Sequence, residues 1–368
     1  MLATVKESRS AVNIREARLT DYAQIAALET RNGMETKSQP EWEHLYLDNP
    51  VFGRLAHWPI AWVAEKQNGE IVGCAGNLPL SYILDGREII AAGGRGFVAD
   101  PAYRAHAASL IRRFAHQKAE LLMVSSANEN SAPLLYAMRF SQVPTGTWDQ
   151  SRFWITNHRG LMASALLKKR LPSFIGYALL PLLRLKDAFT RKPRRTTCDL
   201  TICPEFDDRF DQFWAELKRM RPVMLANRSR ETLAWHFKYA LEQKRAWIVA
   251  VTDGWKLLAY SVFLRHDKPE VGLTRVRLVD FQTLHASTEF LEPMLSWALQ
   301  KCRDQEIHML EAYGFSPEKQ EIIDSLSPHR RRFPAWTFFY KARNPELASQ
   351  LKDPMIWDPS HFDGDASI

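Results

Sequence analysis

The chain has 368 residues, of which 46% are hydrophobic and 25% are charged. This composition excludes long-range disorder, and the length predicts about two domains. The four cysteines (Cys74, Cys198, Cys203 and Cys302) have no metal-ligand or redox spacing, and the first residues lack the apolar run of a secretory signal, so we expect a reduced, cytoplasmic protein without a bound metal.

The net charge of +7 comes from one segment of the chain. Between Arg159 and Arg195 there are ten Lys and Arg residues and one acid, Asp187. Since this segment alone carries +9, the rest of the chain is slightly acidic. No nucleic-acid-binding module accompanies the basic residues, so we expect no DNA partner.

The N-terminal region predicts a strand, a helix and then a meander of three antiparallel strands. The first strand covers 13–17, and Thr20 or Asp21 caps the helix that follows. The pairs Asn68-Gly69 and Asp85-Gly86 separate apolar runs. Such pairs favour type I′ hairpin turns because both central residues need a positive φ.

The third strand of this meander contains Gly93, Gly94 and Gly96. Glycine inside a strand usually marks a bulge or a close backbone approach. The apolar spacing then predicts a helix over 104–121, a buried strand, a polar loop and a short helix that ends near Phe140. The predicted order of the first half is β-α-β-β-β-α-β-α.

A weak internal repeat with a shift of 185 positions places Ala61-Trp62-Val63 over Ala246-Trp247-Ile248. The second copy keeps the order of elements, with helices at 230–240 and 289–303 and strands at 246–251, 257–265, 274–284 and 306–313. The segments 317–326 and 335–343 complete it.

We therefore predict an α/β (α+β) protein of two similar domains. Each domain is expected to be a mixed, mostly antiparallel twisted sheet flanked by helices. The predicted boundaries are 1–157 for the first domain, 158–196 for a basic and apolar linker helix region, 197–345 for the second domain and 346–368 for a C-terminal tail.

The stretch GFVADPAYRAHAASLIRRFA, residues 96–115, runs from a strand directly into a helix. A helix N-terminus has unpaired N–H groups and the positive end of the helix dipole, and small side chains there let phosphate oxygens approach the backbone. Pro101 stiffens the entry, so Arg104 and the N–H groups of 105–109 would face a diphosphate. The alternative is that the small residues simply pack the helix.

At these residues the chain resembles the GNAT superfamily of acyl-CoA-dependent N-acyltransferases. The family has a hydrophobic strand, Pro, an aromatic residue and then Arg/Gln-x-x-Gly-x-Gly/Ala, and its matches here are Val98, Pro101, Tyr103 and Arg104. The motif is degenerate, because Ala107 and Ser109 stand at its two glycine positions. The resemblance implies that acetyl-CoA or another acyl-CoA binds here. The binding residues it implies are Phe97, Val98, Ala99, Arg104, Ala105, His106, Ala107, Ala108, Ser109, Asn128 and Asn130.

The segment NENSAPLLYAMRF also resembles the family. Ala132, Tyr136 and Phe140 fit its pattern, whereas Arg139 replaces a glycine. By the resemblance, Tyr136 would protonate the departing CoA thiolate, and a phenol of pKa about 10 suits a thiol of pKa about 8.5. The alternative for Tyr136 is a half-buried core aromatic.

No carboxylate identifies itself as a general base. Asp100 and Glu129 lie near the predicted site, but they are equally well explained as turn or loop residues. The base is left unassigned.

The second copy lacks the features that would favour a diphosphate. No Arg and no glycine precede its helix, Ser287 or Thr288 can cap it, and Glu289 and Glu292 place negative charge in its first turn. We expect this copy to shape an acceptor pocket or to stabilise its partner.

The linker contains an apolar run at 171–185 that is shorter than the roughly 20 residues needed to cross a bilayer. Its basic flanks suit a peripheral contact through 168–195 with an anionic membrane surface at the inner face. The alternative is a helix that packs between the two domains.

The sequence thus predicts an N-acyltransferase, expected to be an acetyltransferase, that acts on a primary amine of a small-molecule or cell-envelope acceptor. Two alternatives stay open. Tandem GNAT-like folds also resemble Fem-type transferases, which use aminoacyl-tRNA, and the basic linker would suit an RNA donor. The degenerate motif would suit a non-catalytic binding protein.

Overall fold

The computed structural model describes residues 12–170, 199–284, 289–333, 336–365 and 367–368. These residues form two mixed, mostly antiparallel sheets of eight and seven strands that are flanked by helices. The predicted linker contact through 168–195 falls largely on 171–198, outside the described residues. In the part of the chain that is described, no helix is long and apolar enough to cross a membrane.

Where the structure describes it, the first half contains seven strands and five α-helices. Its strands are β1 (Val12–Glu16), β2 (Ala61–Lys66), β3 (Ile71–Leu84), β4 (Arg87–Ala99), β5 (Leu121–Ala127), β6 (Ser141–Gln142) and β7 (Gln150–Ile155). Its helices are α1 (Tyr22–Arg31), α2 (Gln39–Leu47), α3 (Ala107–Ala115), α4 (Ala132–Ala137) and α5 (His158–Lys169). The predicted order is confirmed, with α2 as an unpredicted addition.

The second half repeats this order. Its strands are β8 (Leu200–Cys203), β9 (Leu225–Ala226), β10 (Ala246–Asp253), β11 (Lys256–Arg265), β12 (Arg275–Thr283), β13 (Met309–Tyr313), β14 (His329–Arg332) and β15 (Thr337–Ala342). Its helices are α6 (Asp208–Met220), α7 (Arg230–Glu242), α8 (Leu291–Asp304), α9 (Pro317–Leu326) and α10 (Pro345–Gln350).

The two predicted hairpin turns differ in type. Asp85 and Gly86 both have positive φ, 51° and 74°, so this turn is of the predicted I′ kind. In the other pair, Gly69 alone has a positive φ, of 84°, and the ladder shifts by one residue between Ala64 and Glu65. The type I′ prediction for Asn68-Gly69 is therefore wrong, because a bulge beside this turn absorbs the extra residue.

The two halves exchange their last strands, β7 and β15, between the sheets. The first sheet has the order β1-β2-β3-β4-β5-β15-β6, with β9 paired to β3, and the second has the order β14-β7-β13-β12-β11-β10-β8. Sequence analysis placed 335–343 in the second copy, but β15 pairs with β5 and β6 of the first sheet. An unpaired strand edge accepts any chain that reaches it, so proximity along the sequence does not decide the pairing.

The two halves both contribute to one cluster of buried hydrophobic side chains. Tyr82 and Leu121 of the first sheet belong to the same buried cluster as Phe210, Tyr260 and Val262 of the second half. Helices α2 and α7 also meet directly, since the Trp235 indole N–H donates to the His44 carbonyl at 3.0 Å. The halves are therefore packed against each other and do not only follow one another along the chain.

The C-terminal segment 357–365, which we call the strap, is largely buried. Trp357, Asp358, Ser360, His361 and Phe362 are all at most 4% exposed. The strap crosses from the second sheet to the first, where the Asp365 carboxylate accepts hydrogen bonds from the hydroxyls of two serines in β5.

Candidate functional site

The candidate site begins where β4 and β5 separate. These strands pair in parallel over Ala91–Gly93 and Leu121–Met123. Past Gly93, β4 continues to Ala99 against β3 alone, while β5 continues to Ala127 against β15, which borders its other edge from Leu121 onward. The edge of β4 that faces β5 therefore has no strand partner over 94–99 among the described residues.

A bulge at Gly96 causes this separation. Gly96 has a φ of +60°, and the pairing of β3 with β4 shifts register between Cys74 and Gly76. A Cβ on Gly94 would lie 2.6 Å from the ring of Phe97, so this position requires the close approach that only glycine permits. The prediction that the strand glycines mark a bulge or a close approach is thus confirmed at Gly96 and Gly94.

A cleft of about 370 Å³ opens between the separated strands. Its walls include seven of the predicted site residues: Phe97, Val98, Ala99, Arg104, Ala107, Asn128 and Asn130. Sequence analysis missed further lining residues from α3 and from the loop after α1, among them Leu110, Ile111, Asn32 and Met34.

The junction between β4 and α3 differs from the prediction of free amides. Residues Pro101–His106 form a 3-10 helix before α3 begins. The Tyr103 N–H donates to the Asp100 carbonyl at 2.8 Å, and the Ala107 N–H donates to the Arg104 carbonyl. The second bond engages the amide of Ala107, one of those at 105–109 that we expected to face a diphosphate, because the tighter 3-10 turns satisfy N–H groups that an α-helix leaves unpaired.

The remaining predicted residues around this junction lie apart from the cleft. Ser109 lines a separate groove on the far side of α3, together with Arg112 and Arg113. Ala105 is exposed and Ala108 half-buried, and His106 is half-buried with its ring 6.4 Å from that of Tyr103. Of this predicted set, the cleft therefore takes Arg104 and Ala107.

Asn128 organises the loop that forms the opposite wall. Its side-chain oxygen accepts hydrogen bonds from the N–H groups of Asn130 (3.0 Å) and Ser131 (3.1 Å). This turn leads into α4, which explains why an Asn-rich loop precedes that helix.

Tyr136 does not line the cleft. Its side chain is half exposed, its ring packs edge-on against Phe339 of β15 at 4.9 Å, and its hydroxyl accepts a hydrogen bond from the Gln142 amide. Because β15 comes from the second half of the chain, the sequence of the first half could not show this contact.

Asp100 is committed to a structural role. Arg31 binds its carboxylate through two nitrogens, at 2.9 Å and 2.7 Å, and Asn32 donates a third hydrogen bond. The hydrogen bonds from Arg31 hold the pKa of Asp100 below its ordinary value. Glu129 is exposed in the loop after β5.

One carboxylate that sequence analysis missed lies beside the bulge. Glu29 of α1 is 5% exposed, and its Oε1 atom is 3.1 Å from the position that a Cβ on Gly96 would occupy. Burial raises the pKa of Glu29, and the charges of Arg95 and Lys37 oppose that rise. A buried acid on an amphipathic helix was the available signal, but the sequence gave no register between α1 and the bulge.

Comparisons with known proteins come from structure alone, because the sequence matches no family model and no curated protein. A GCN5-related N-acetyltransferase from Anabaena variabilis superposes with a TM-score of 0.54 at 12% identity, covering 91% of this chain and 73% of that one. The N-myristoyltransferase of Saccharomyces cerevisiae with bound myristoyl-CoA gives a TM-score of 0.59 at 10% identity, covering 92% and 86%. The chain has a tandem GNAT fold.

A third similar structure is a probable N-acyltransferase from Enterococcus faecalis, with a TM-score of 0.56 at 10% identity, covering 90% of this chain and 72% of that one. The predicted resemblance to the GNAT superfamily is thus confirmed at the level of the fold. In this chain the two GNAT units correspond to the two sheets, which exchange β7 and β15.

The second GNAT unit has the same strand separation, but protein groups fill it. β12 pairs with β13 in parallel over Arg275–Leu278 and then continues against β11 alone. The buried Lys319 ammonium donates to the Phe281 carbonyl of this segment and to Asp358 of the strap, both at 2.8 Å. The predicted caps Ser287 and Thr288 lie outside the described residues. The expectation that the second copy does not hold CoA stays a prediction.

Among the described residues there is no group of three or more His, Cys, Asp or Glu side chains that could hold a metal ion.

Proposed function

We propose that the protein is an acyl-CoA-dependent N-acyltransferase that transfers an acyl group, expected to be acetyl, to a primary amine. The observation that carries this proposal is the open edge of β4 at 94–99, which faces a cleft of about 370 Å³. The similar structures support it, since they include N-acetyltransferases and an N-myristoyltransferase with bound myristoyl-CoA.

The residues of the cleft fit an extended thioester donor. An unpaired strand edge binds an extended chain through backbone hydrogen bonds, so Phe97, Val98 and Ala99 would hold the pantetheine arm and polarise the thioester carbonyl. Arg104 is exposed at the rim and has no ion-pair partner among the described residues, so it would meet the diphosphate.

Glu29 is the group that would take the proton from the amine. The amine nitrogen attacks the thioester carbonyl, a C–N bond forms, the C–S bond breaks, and the thiolate leaves and is protonated. A base near the bulge is needed because the nitrogen must lose a proton as the amide forms. The raised pKa of Glu29 suits this role, since a stronger base accepts the proton more readily.

Tyr136 would serve as the thiolate's proton donor only if its side chain turned towards the cleft. Its hydroxyl is held by Gln142, and water at the cleft mouth supplies the same proton. We therefore place Tyr136 second to solvent in this role.

The test is thermal stabilisation by acetyl-CoA, longer acyl-CoAs and CoA, followed by release of CoA thiol in the presence of amines. A ligand at 100 times its dissociation constant stabilises a protein by about 2.7 kcal/mol, which a melting curve resolves. Arg104→Glu is expected to reduce the shift strongly, whereas Arg112→Glu, an equally exposed charge reversal outside the cleft, is expected to retain it.

The proposal fails if no acyl-CoA stabilises the wild-type protein at millimolar concentration. Equal shifts for the wild type and Arg104→Glu would instead show that the diphosphate lies elsewhere.

A further inference from the structure

A second pocket, of about 160 Å³, lies between the two GNAT units on the other side of the bulge. The first unit contributes Lys37 and Arg95, and the second contributes Arg245, His266 and Arg277. This volume equals roughly five water molecules at about 30 Å³ each, which is the size of a small ligand or of one end of a larger ligand.

Two cations in this pocket form no direct ion pair within the described part of the chain, although the charges of both act on the buried Glu29 carboxylate. Among the described residues, neither Lys37 nor Arg95 forms an ion pair or a side-chain hydrogen bond, and both are half-buried. Burial, and then the charge of Arg95, lower the pKa of Lys37 to about 8. Two such cations facing one pocket favour a bound anion, because an anion would relieve their mutual repulsion.

The wall formed by the second unit adds further positive charge to the pocket. Arg277 shares the buried carboxylate of Glu311 with Arg275 and Arg331, so three guanidinium groups surround one acid. Burial lowers the pKa of His266 to about 3, so this ring is neutral near pH 7.

Two glutamates line the pocket, and Ser367 and Ile368 at the end of the chain line it as well. Glu41 is engaged in capping α2, where its carboxylate accepts from the Ser38 hydroxyl at 2.6 Å. Glu35 is exposed at the pocket mouth.

This pocket lies next to the cleft that we propose for the acyl donor. Arg95 lines the pocket, Phe97 lines the cleft, and Gly96 between them forms the bulge. Two residues of a strand span about 6–7 Å. A molecule held by Arg95 can therefore present a nitrogen to the bulge, where Glu29 lies.

We propose that this pocket selects the acceptor: a small amine that also carries a carboxylate or phosphate group, which Lys37 and Arg95 bind while the amine points to Gly96. This proposal rests on the proposed acyl transfer. It adds the chemical class of the substrate, which neither the fold nor the similar structures supply.

The first experiment compares matched amines at saturating acyl-CoA, with rates expressed per unprotonated amine. Glycine is paired with glycinamide, and phosphoethanolamine with ethanolamine, so the two pairs also distinguish a carboxylate from a phosphate. We expect the anionic member of at least one pair to have a kcat/KM at least tenfold higher. Equal values within both pairs would overturn the proposal.

Substitutions of Arg95 and Lys37 then test whether these two residues cause the preference for the anionic amine. Arg95→Met and Lys37→Met should each lower kcat/KM for the anionic amine, mainly through KM, at least tenfold more than for its neutral partner. Arg95→Lys should restore part of the preference. The control is Lys238→Met, which removes an exposed lysine outside the pocket that is paired with Asp48. Equal losses for the anionic and neutral amines would contradict the assigned role.

Anion binding without turnover separates this proposal from the proposed function. Inorganic phosphate and acetate are titrated by thermal shift against the wild type, Arg95→Met and Lys37→Met. Stabilisation that both variants lose supports the pocket even if no acyl-CoA binds, in which case only the acyl-transfer proposal fails. Acyl-CoA binding together with no effect of either millimolar anion would overturn the pocket alone.

Discussion

The two sheets separate at equivalent places, but what lies in each opening differs. In the first unit, the edge of β4 past Gly93 faces an open cleft. In the second unit, the Lys319 ammonium contacts the corresponding segment of β12, and Asp280 of that segment pairs with Arg228, both fully buried. The same separation of strands thus leaves an open cleft in one unit and encloses buried ion pairs in the other.

The difference follows from the residues at the bulge. Gly96 leaves room beside the backbone of the first unit, and the nearest acid, Glu29, has no ion pair among the described residues. In the second unit, Asp280 accepts hydrogen bonds from Arg228, Tyr260 and Ser360 of the strap. Burial favours protonation of Asp280, but Arg228 keeps its pKa below the ordinary value. The Asp280 carboxylate is thus fully engaged by groups of the protein itself.

The largest expected effect is on the filled opening. Asp280→Asn should lower the free energy of unfolding by about 3–5 kcal/mol, because it leaves the buried Arg228 without a counter-charge. Chemical denaturation measures this loss. Glu216→Gln, which breaks the exposed pair with Lys256, should cost less than about 1 kcal/mol. A similar small loss for both variants would show that the second opening is not held by its ion pair.

The next largest effect concerns Glu29. Glu29→Gln should lower kcat by about 10²-fold or more, as expected for the loss of a general base, without changing stabilisation by acyl-CoA. In the wild type, kcat should fall as the pH drops through the raised pKa of Glu29, and the variant should lose this dependence. Glu129→Gln is the control. If the two variants had the same rates and pH profiles, Glu29 would not be the base.

The bulge itself is expected to show a moderate effect. Gly96→Ala places a Cβ at φ +60° and 3.1 Å from the Glu29 carboxylate, so it should destabilise the protein by about 1–2 kcal/mol and weaken acyl-CoA binding. Gly86→Ala imposes a similar backbone strain, φ +74°, with nothing within 4 Å. It should cost similar stability and leave binding unchanged. Equal effects of both variants on binding would remove the bulge from the site.

The smallest effect is expected at Tyr136. Because its hydroxyl is held by Gln142 and its ring packs on Phe339, Tyr136→Phe should change kcat by less than about twofold. The measurement is kcat at saturating acyl-CoA and amine. A hundredfold loss would show that this side chain turns into the cleft during the reaction, as the family resemblance implies.

Patterns that are local in the chain were predictable from the sequence. The strand glycines predicted the bulge, the Asp85-Gly86 pair predicted its turn, and seven of the proposed binding residues line one cleft. The engaged amides of the 3-10 helix at 101–106 were not predicted, since small helix-forming residues suit a 3-10 turn as well as an α-helix. The domain boundaries stay a prediction.

Contacts between distant segments were not predictable. Glu29 reaches Gly96, β15 supplies the surface under Tyr136, and Arg95 meets Arg277 across the pocket between the units. To predict any of these contacts one must know how two elements are placed relative to each other. The periodicity within a single element contains no information about that placement.

The sequence by itself determined the elements, their order and the internal repeat, because hydrophobic periodicity and turn chemistry act over a few neighbouring residues. Only the tertiary structure decided that β7 and β15 change sheets, that Lys319 and the strap contact the second opening, and that Lys37 and Arg95 face a common pocket. Those outcomes depend on which edges and charges are left unpaired once both sheets have formed.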